Sequence, residues 1–239
     1  MTDPVDRADE FIQLFNRVEH FLSLLVRPEK SMGFVQLVEA ASALSAAVRA
    51  NNVHLRQFAK LRNAIIHEAD YPSHIVAIPS LEALLRFKVI VQEVVEPKAL
   101  IPTFATQVRC FSPGDKLPEV LKFMRNQDFS QVIVRNSEER LSMLTVEGIA
   151  KWLADDVECN QNSVGRATLD SILPLEPPGC FLIMSAEKTI FDATDAFTNS
   201  IHCKATRLYA IAITESGADS DEPIGFVTPW DLVHNPRVR

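Results

Sequence analysis

The stretch Gly225-Phe226-Val227-Thr228-Pro229-Trp230-Asp231-Leu232-Val233 decides how this chain is read. A glycine and a short apolar run predict a strand. A threonine, with a carboxylate three residues later, predicts that the strand turns directly into a helix. Aspartate on a first helical turn is favoured by capping and by the helix dipole. Thr228 and Asp231 held together at a strand end also make a fork for hydroxyl groups. The carboxylate can accept from two vicinal ribose hydroxyls, while the threonine hydroxyl and nearby amides face a phosphate. A plain capped helix and a nucleoside fork are both open on this fragment.

Working back along the chain, the same pattern occurs twice. In the first copy Leu117–Phe123 is helical, Gln131–Val134 and Leu141–Leu144 are strands, and Glu147–Leu153 is helical; Ala105–Val108 is β-like ahead of them. In the second, Cys180–Met184 is β-like, Thr189–Ser200 helical, Leu208–Ile213 and Ile224–Val227 are strands, and Pro229–Val233 opens a closing helix. Ser112, Leu117, Glu119 and Val120 align with Ser185, Ile190, Asp192 and Ala193, and Thr145 aligns with Thr228. Residues 154–167 read as a polar connecting loop, and Glu215–Pro223 lengthens the second copy. An internal repeat of this size predicts two similar α/β units packed as a pair.

The N-terminal part has a different texture. Apolar residues recur at three and four from Val5 to Leu25, predicting a helix over residues 4 to about 27. A second helix is predicted over 33–49, a turn at Asn51-Asn52, a third helix over 53–69, and a fourth from after Pro79 to about Glu96. Gly33 is the only glycine before Pro97, as suits an all-α unit of four helices. The expected fold class is therefore α+β: an all-α four-helix domain, residues 1–98, followed by a pair of similar βαββα repeats, residues 99–239. Repeat one spans about 99–155 and repeat two about 168–239. Pro97-Lys98-Ala99-Leu100-Ile101-Pro102 reads as a semi-rigid joint, since two prolines restrict it.

Composition bounds the function. The chain has 239 residues, 47% of them hydrophobic, enough for a real core. A formal net charge of -7 argues against a broad, sequence-independent nucleic-acid surface. Cys110, Cys159, Cys180 and Cys203 are widely spaced with no CxxC pair, so they read as reduced thiols of a cytoplasmic protein. His20, His54, His74, His202 and His234 show no metal-ligand spacing. No apolar run is long enough to span a bilayer. GxSxG, GxGxxG and GxxxxGK[ST] are all missing from the sequence.

With these residues in hand, positions 99 to about 237 resemble a tandem pair of CBS domains, a regulatory module. The resemblance rests on Phe111-Ser112-Pro113-Gly114-Asp115-Lys116-Leu117-Pro118-Glu119-Val120, on Asp128-Phe129-Ser130-Gln131-Val132-Ile133-Val134, and on the terminal Gly225–Asp231 stretch. It implies two clefts able to hold adenine nucleotides, AMP or ADP first, with ATP and S-adenosylmethionine as further ligands. Carried over, Asp231 would hold the ribose hydroxyls and Thr228 would lie near the phosphates. Phe129, Ser130 and Gln131 would border the base, and Thr106 would complete the cleft. The first repeat departs from the pattern: Thr145-Val146-Glu147-Gly148 has glycine where the carboxylate belongs, and Glu147, one residue off, is turned about 100° away on a helix. One occupied nucleotide site per chain is expected.

The third helix carries Leu61-Arg62-Asn63-Ala64-Ile65-Ile66-His67-Glu68. Asn63 and His67 are four apart and share a face. Histidine can move a 2′-hydroxyl proton, arginine can neutralise a developing phosphorane, and asparagine can orient the imidazole. The stretch resembles the Arg-polar-x3-His signature of the HEPN superfamily, whose domains dimerise and include metal-independent endoribonucleases. The alternative is a polar clasp of Arg62, Asn63 and His67, with Glu19 and Glu68 as acidic partners, holding helices or subunits together. Three readings follow: an adenine-nucleotide sensor on a helical, homodimerising domain, more a regulator than an enzyme; a ribonuclease acting on RNA and gated by the repeats; or a ligand-free scaffold.

Overall fold

The computed structural model describes residues 4–66, 77–136, 138–159, 163–202 and 207–234. The chain divides into two compact units, Met1–Lys98 and Ala99–Arg239.

The first unit is all helical. Its described helices are α1 (Pro4–Val26), α2 (Phe34–Leu44), α3 (Ala46–Ile66) and α4 (Leu81–Val95). Apolar residues at three-and-four spacing put Ala8, Phe11, Phe15, Val18 and Leu22 of α1 on one buried stripe. The stripe closes over Val48, Leu55 and Phe58 of α3 and Leu84, Phe87 and Val91 of α4. Phe87 sits at the aromatic centre, with ring centroids 4.8 Å from Phe11 and 4.5 Å from Phe58. Ser80 caps α4 by accepting a hydrogen bond from the Ala83 amide at 3.1 Å.

The break between α2 and α3 falls at Ser45, not at the predicted Asn51-Asn52 turn. Ser45 is extended, and its hydroxyl accepts from the Val48 amide at 3.3 Å as α3 begins. Asn51 is buried inside α3, where its amide group donates to the Ala47 carbonyl and to Glu93 Oε2 of α4, each at 3.1 Å. A local turn preference was overridden by a tertiary partner that satisfies the side chain.

The second unit holds two three-stranded sheets. In the first, β1 (Cys110–Phe111) runs parallel to β2 (Gln131–Arg135), and β2 runs antiparallel to β3 (Leu141–Thr145). In the second, β4 (Phe181–Ser185) runs parallel to β5 (Ala210–Thr214), and β5 antiparallel to β6 (Pro223–Val227). Helices α6 (Leu117–Gln127) and α7 (Val146–Glu158) complete the first repeat; α8 (Ile190–His202) and α9 (Pro229–His234) complete the second. The two sheets pack on each other through Ile133, Leu141 and Cys110 on one side and Phe181, Ile183, Ala212 and Phe226 on the other. This central position accounts for the burial of every residue of β5. The fold class is α+β.

The segments ahead of the repeats are exchanged. Ala99 bridges Thr189, and the short helix α5 (Leu100–Thr103) buries Leu100 with Phe104 in the core of the second repeat. Thr168 bridges Lys116, and Leu169 and Ile172 lie in the core of the first. Each repeat is thus completed by an arm that precedes the other. Two sequence expectations shift accordingly. Residues 99–106, expected in repeat one, pack on repeat two, with only Ala105 of the β-like 105–108 run bridging Gly225. The proline-bounded joint is shortened, because Leu100 is fully buried in the second unit.

Candidate functional site

Strand β6 delivers Thr228 to the start of α9. Its backbone amide and its hydroxyl both donate to Asp231 Oδ2, at 2.7 and 2.6 Å. This is a capping arrangement for the helix start. Because a single oxygen takes both bonds, Oδ1 lies outside the fork. Asp231 is exposed and Thr228 half-buried, so the carboxylate is open to solvent at the strand end.

The first repeat builds the same donors differently. Thr145, buried at the end of β3, donates from its amide to Glu176 Oε1 at 2.7 Å and from its hydroxyl to Glu176 Oε2 at 2.8 Å. Its hydroxyl also accepts from the Gly148 amide at 3.0 Å, capping α7. The carboxylate therefore comes from residue 176, on the arm between the repeats, and not from position 148. A Cβ placed on Gly148 would lie 2.0 Å from Glu176 Oε1. Beside this fork, Glu147 accepts from the Tyr209 hydroxyl and pairs with Lys151 at 2.7 Å. Tyr209 precedes β5, so the second repeat reaches across to the first repeat's turn.

Burial pushes the Glu176 carboxyl above the ordinary carboxylate range, outweighing the two bonds from Thr145, which lower it. The folded state then binds this proton more firmly than the unfolded chain. The contribution of Glu176 to stability is accordingly fully present at acid pH and is lost as pH rises from the ordinary carboxylate range through the raised folded value. Against Glu176→Gln, which cannot ionise, the wild-type second unit should lose relative stability over that window and level off above it. Parallel denaturant titrations of the two proteins at a series of pH values check this, and a constant difference would contradict it.

Gln131 pairs with Thr145 in the β2–β3 register, and the Val146 amide donates to the Ser130 carbonyl at 3.0 Å. Phe129, Ser130 and Gln131 therefore flank the first repeat's own turn. Phe129 is exposed and edge-on to Phe123, whose ring lies under Arg109. The positions that flank Thr228 in the same way are Ala210 and Tyr209, since Ile211 pairs with Val227. Tyr209 was not singled out in the sequence; the strand registers make it the counterpart of Ser130. The Thr106 amide donates to the Ile224 carbonyl, four residues before Thr228, which puts Thr106 about 13 Å along the strand from the fork.

In the helical unit, Arg62 lies over the Phe15 ring at 5.8 Å and reaches Asn63 Oδ1 at 3.4 Å, while its buried Nε has no hydrogen-bond partner among the described residues. Asn63 is exposed. His67 and Glu68 lie outside the described residues. Among the described residues, no ion pair joins Arg62 to Glu19, and no group of three or more His, Cys, Asp or Glu side chains could hold a metal ion. No described helix is long and apolar enough to cross a membrane.

No family model matches this sequence, and no curated protein does. Solved structures of CBS-domain proteins do match its C-terminal part. The CBS domain of a CBS-domain-containing membrane protein from Sphaerobacter thermophilus is similar at 14% identity and a TM-score of 0.44, covering 64% of this chain and 96% of that one. A CBS-domain-containing protein of unknown function from Kribbella flavida is similar at 14% identity and a TM-score of 0.40, covering 55% and 95%. CBSX2, solved in complex with AMP, is similar at 12% identity and a TM-score of 0.40, covering 57% and 93%.

Proposed function

We propose that residues 99–239 are a CBS-type pair that senses an adenine nucleotide, AMP or ADP, at the fork of Thr228 and Asp231. The observation that carries this reading is the unequal state of the two forks. The second presents an exposed carboxylate with one oxygen held and the other outside the fork. That is the acceptor two vicinal ribose hydroxyls require, with Thr228 next to it on the side of the phosphates. The first fork already holds a carboxylate of the chain. Phe129, Ser130 and Gln131 border the base from the other repeat, in the way that Tyr209 meets the first turn. Thr106, held alongside β6 at Ile224, completes the cleft from that side.

The helical unit pairs two copies of the chain. Leu81, Leu85 and Val89 of α4, four residues apart, are 51%, 51% and 56% exposed and form an apolar stripe suited to self-association. The three described cysteines are unpaired, as suits a reducing cytoplasm.

Isothermal titration with AMP, ADP, ATP and S-adenosylmethionine tests the reading, AMP being the first probe. Saturable binding at one nucleotide per chain is the expected result, together with a raised melting temperature, since a ligand preferring the native state must stabilise it. Silence for all four in nucleotide-free protein would leave the pair a scaffold.

A further inference from the structure

We infer that Glu176 is a built-in occupant of the first fork: it takes the place of the missing aspartate and keeps nucleotide out of that cleft, so that binding is confined to the second. The inference rests on the nucleotide reading of the second fork and explains why the two clefts differ.

Three observations carry it. The donors are the same in both repeats, a threonine amide and hydroxyl at the end of the third strand. In the second repeat they hold Asp231, three residues on; in the first they hold Glu176, thirty-one residues on, at comparable distances. The occupied volume is also the same. Position 148 corresponds to Asp231, and a Cβ there would fall 2.0 Å from Glu176 Oε1 and 2.5 Å from its Cδ. An aspartate at 148 and the Glu176 carboxylate therefore exclude one another, and the glycine is what admits the arm's side chain. Finally, the use of oxygens differs. Asp231 spends one oxygen on its threonine, whereas Glu176 spends both, in a half-buried setting with Glu147, Tyr209 and Lys151 alongside. A carboxylate engaged through both oxygens and enclosed in this way has lost the exposed acceptor that makes the second fork a ribose site.

The arm that brings Glu176 is well anchored. Leu169 and Ile172 are fully buried in the first repeat's core, and the Leu117 amide donates to the Ala167 carbonyl at 2.9 Å. The occupant is therefore held in place by packing upstream of it as well as by Thr145.

The test joins a packing cycle to a titration. Gly148→Ala pushes the carboxylate off Thr145 and is expected to lower the melting temperature of the second unit by several degrees, yet to have little effect in a Glu176→Ala background. Additive shifts would overturn the shared position of the two side chains. The titration uses AMP and the full chain. Wild type is expected to bind one AMP per chain, and Gly148→Asp/Glu176→Ala, which restores the aspartate and removes the occupant, two. One AMP in both proteins overturns the inference and leaves the proposed function standing. None in wild type but one in the double variant supports the inference and overturns the second-fork site. None in either overturns both. A double variant that does not fold overturns the inference too, because an aspartate then fails to fit where Glu176 sits.

Discussion

Asp231→Ala is expected to weaken AMP binding by about a hundredfold or more, while the protein stays folded. Each hydrogen bond from a ribose hydroxyl to an ionised carboxylate contributes about 1.5–3 kcal/mol, and two are lost together. Even the lower figure for the pair, about 3 kcal/mol, exceeds two decades in Kd. The structural cost is much smaller. Asp231 caps a six-residue helix at an exposed position, and loss of such a cap costs about 1 kcal/mol. Isothermal titration and a melting curve on the same sample separate the two effects. A variant that binds like wild type would remove Asp231 from the site. One that melts far below wild type would show that the fork is mainly a structural cap.

Gly225→Val should be the most damaging single change in the second unit. A Cβ at Gly225 would lie 2.6 Å from the Phe104 carbonyl oxygen, 3.0 Å from Ile213 Cδ1 and 3.1 Å from Ile101 Cδ1. The nearest atom is backbone and cannot rotate away. The arm must lift off β6, breaking the Ala105–Gly225 bridge and disturbing buried Leu100 and Phe104. Overpacking of a closed core costs about 1–3 kcal/mol and sometimes more, and here about 3 kcal/mol or more is expected because a packed segment is displaced with it. Denaturant unfolding followed by circular dichroism checks this. A midpoint within error of wild type would mean that the arm is not held against β6 in solution.

The helical and strand segments were legible in the sequence wherever one face of an element is buried. The three-and-four spacing of Phe11, Phe15, Val18 and Leu22 marks α1, because burial on one side imposes a period, and the unbroken apolar run Val132-Ile133-Val134 marks β2, because both of its faces are covered. The fork was legible for a related reason: Thr228 and Asp231 are three residues apart, and a helix start brings that spacing together without help from the rest of the chain. Asn51-Asn52 misled for the opposite reason. Asparagine favours turns only when its side chain lacks a better partner, and the partner, Glu93, is forty-two residues away.

Local order therefore settles much of this protein: four helices, a duplicated β-α-β-β-α pattern, and one carboxylate fork at the end of β6. Each depends on interactions within a few residues, which is the range over which a sequence pattern can be read directly. The exchange of arms between repeats, the close approach that requires glycine at 225, and the Glu176 carboxylate on Thr145 were decided only in three dimensions. They join residues tens to over a hundred positions apart, and no period or spacing records such a meeting. Gly148 is the one local trace, a glycine where the fork calls for an acid. That the volume it leaves is filled by a carboxylate from another segment follows from how the arm packs, and from the requirement that a buried threonine's donors find an acceptor.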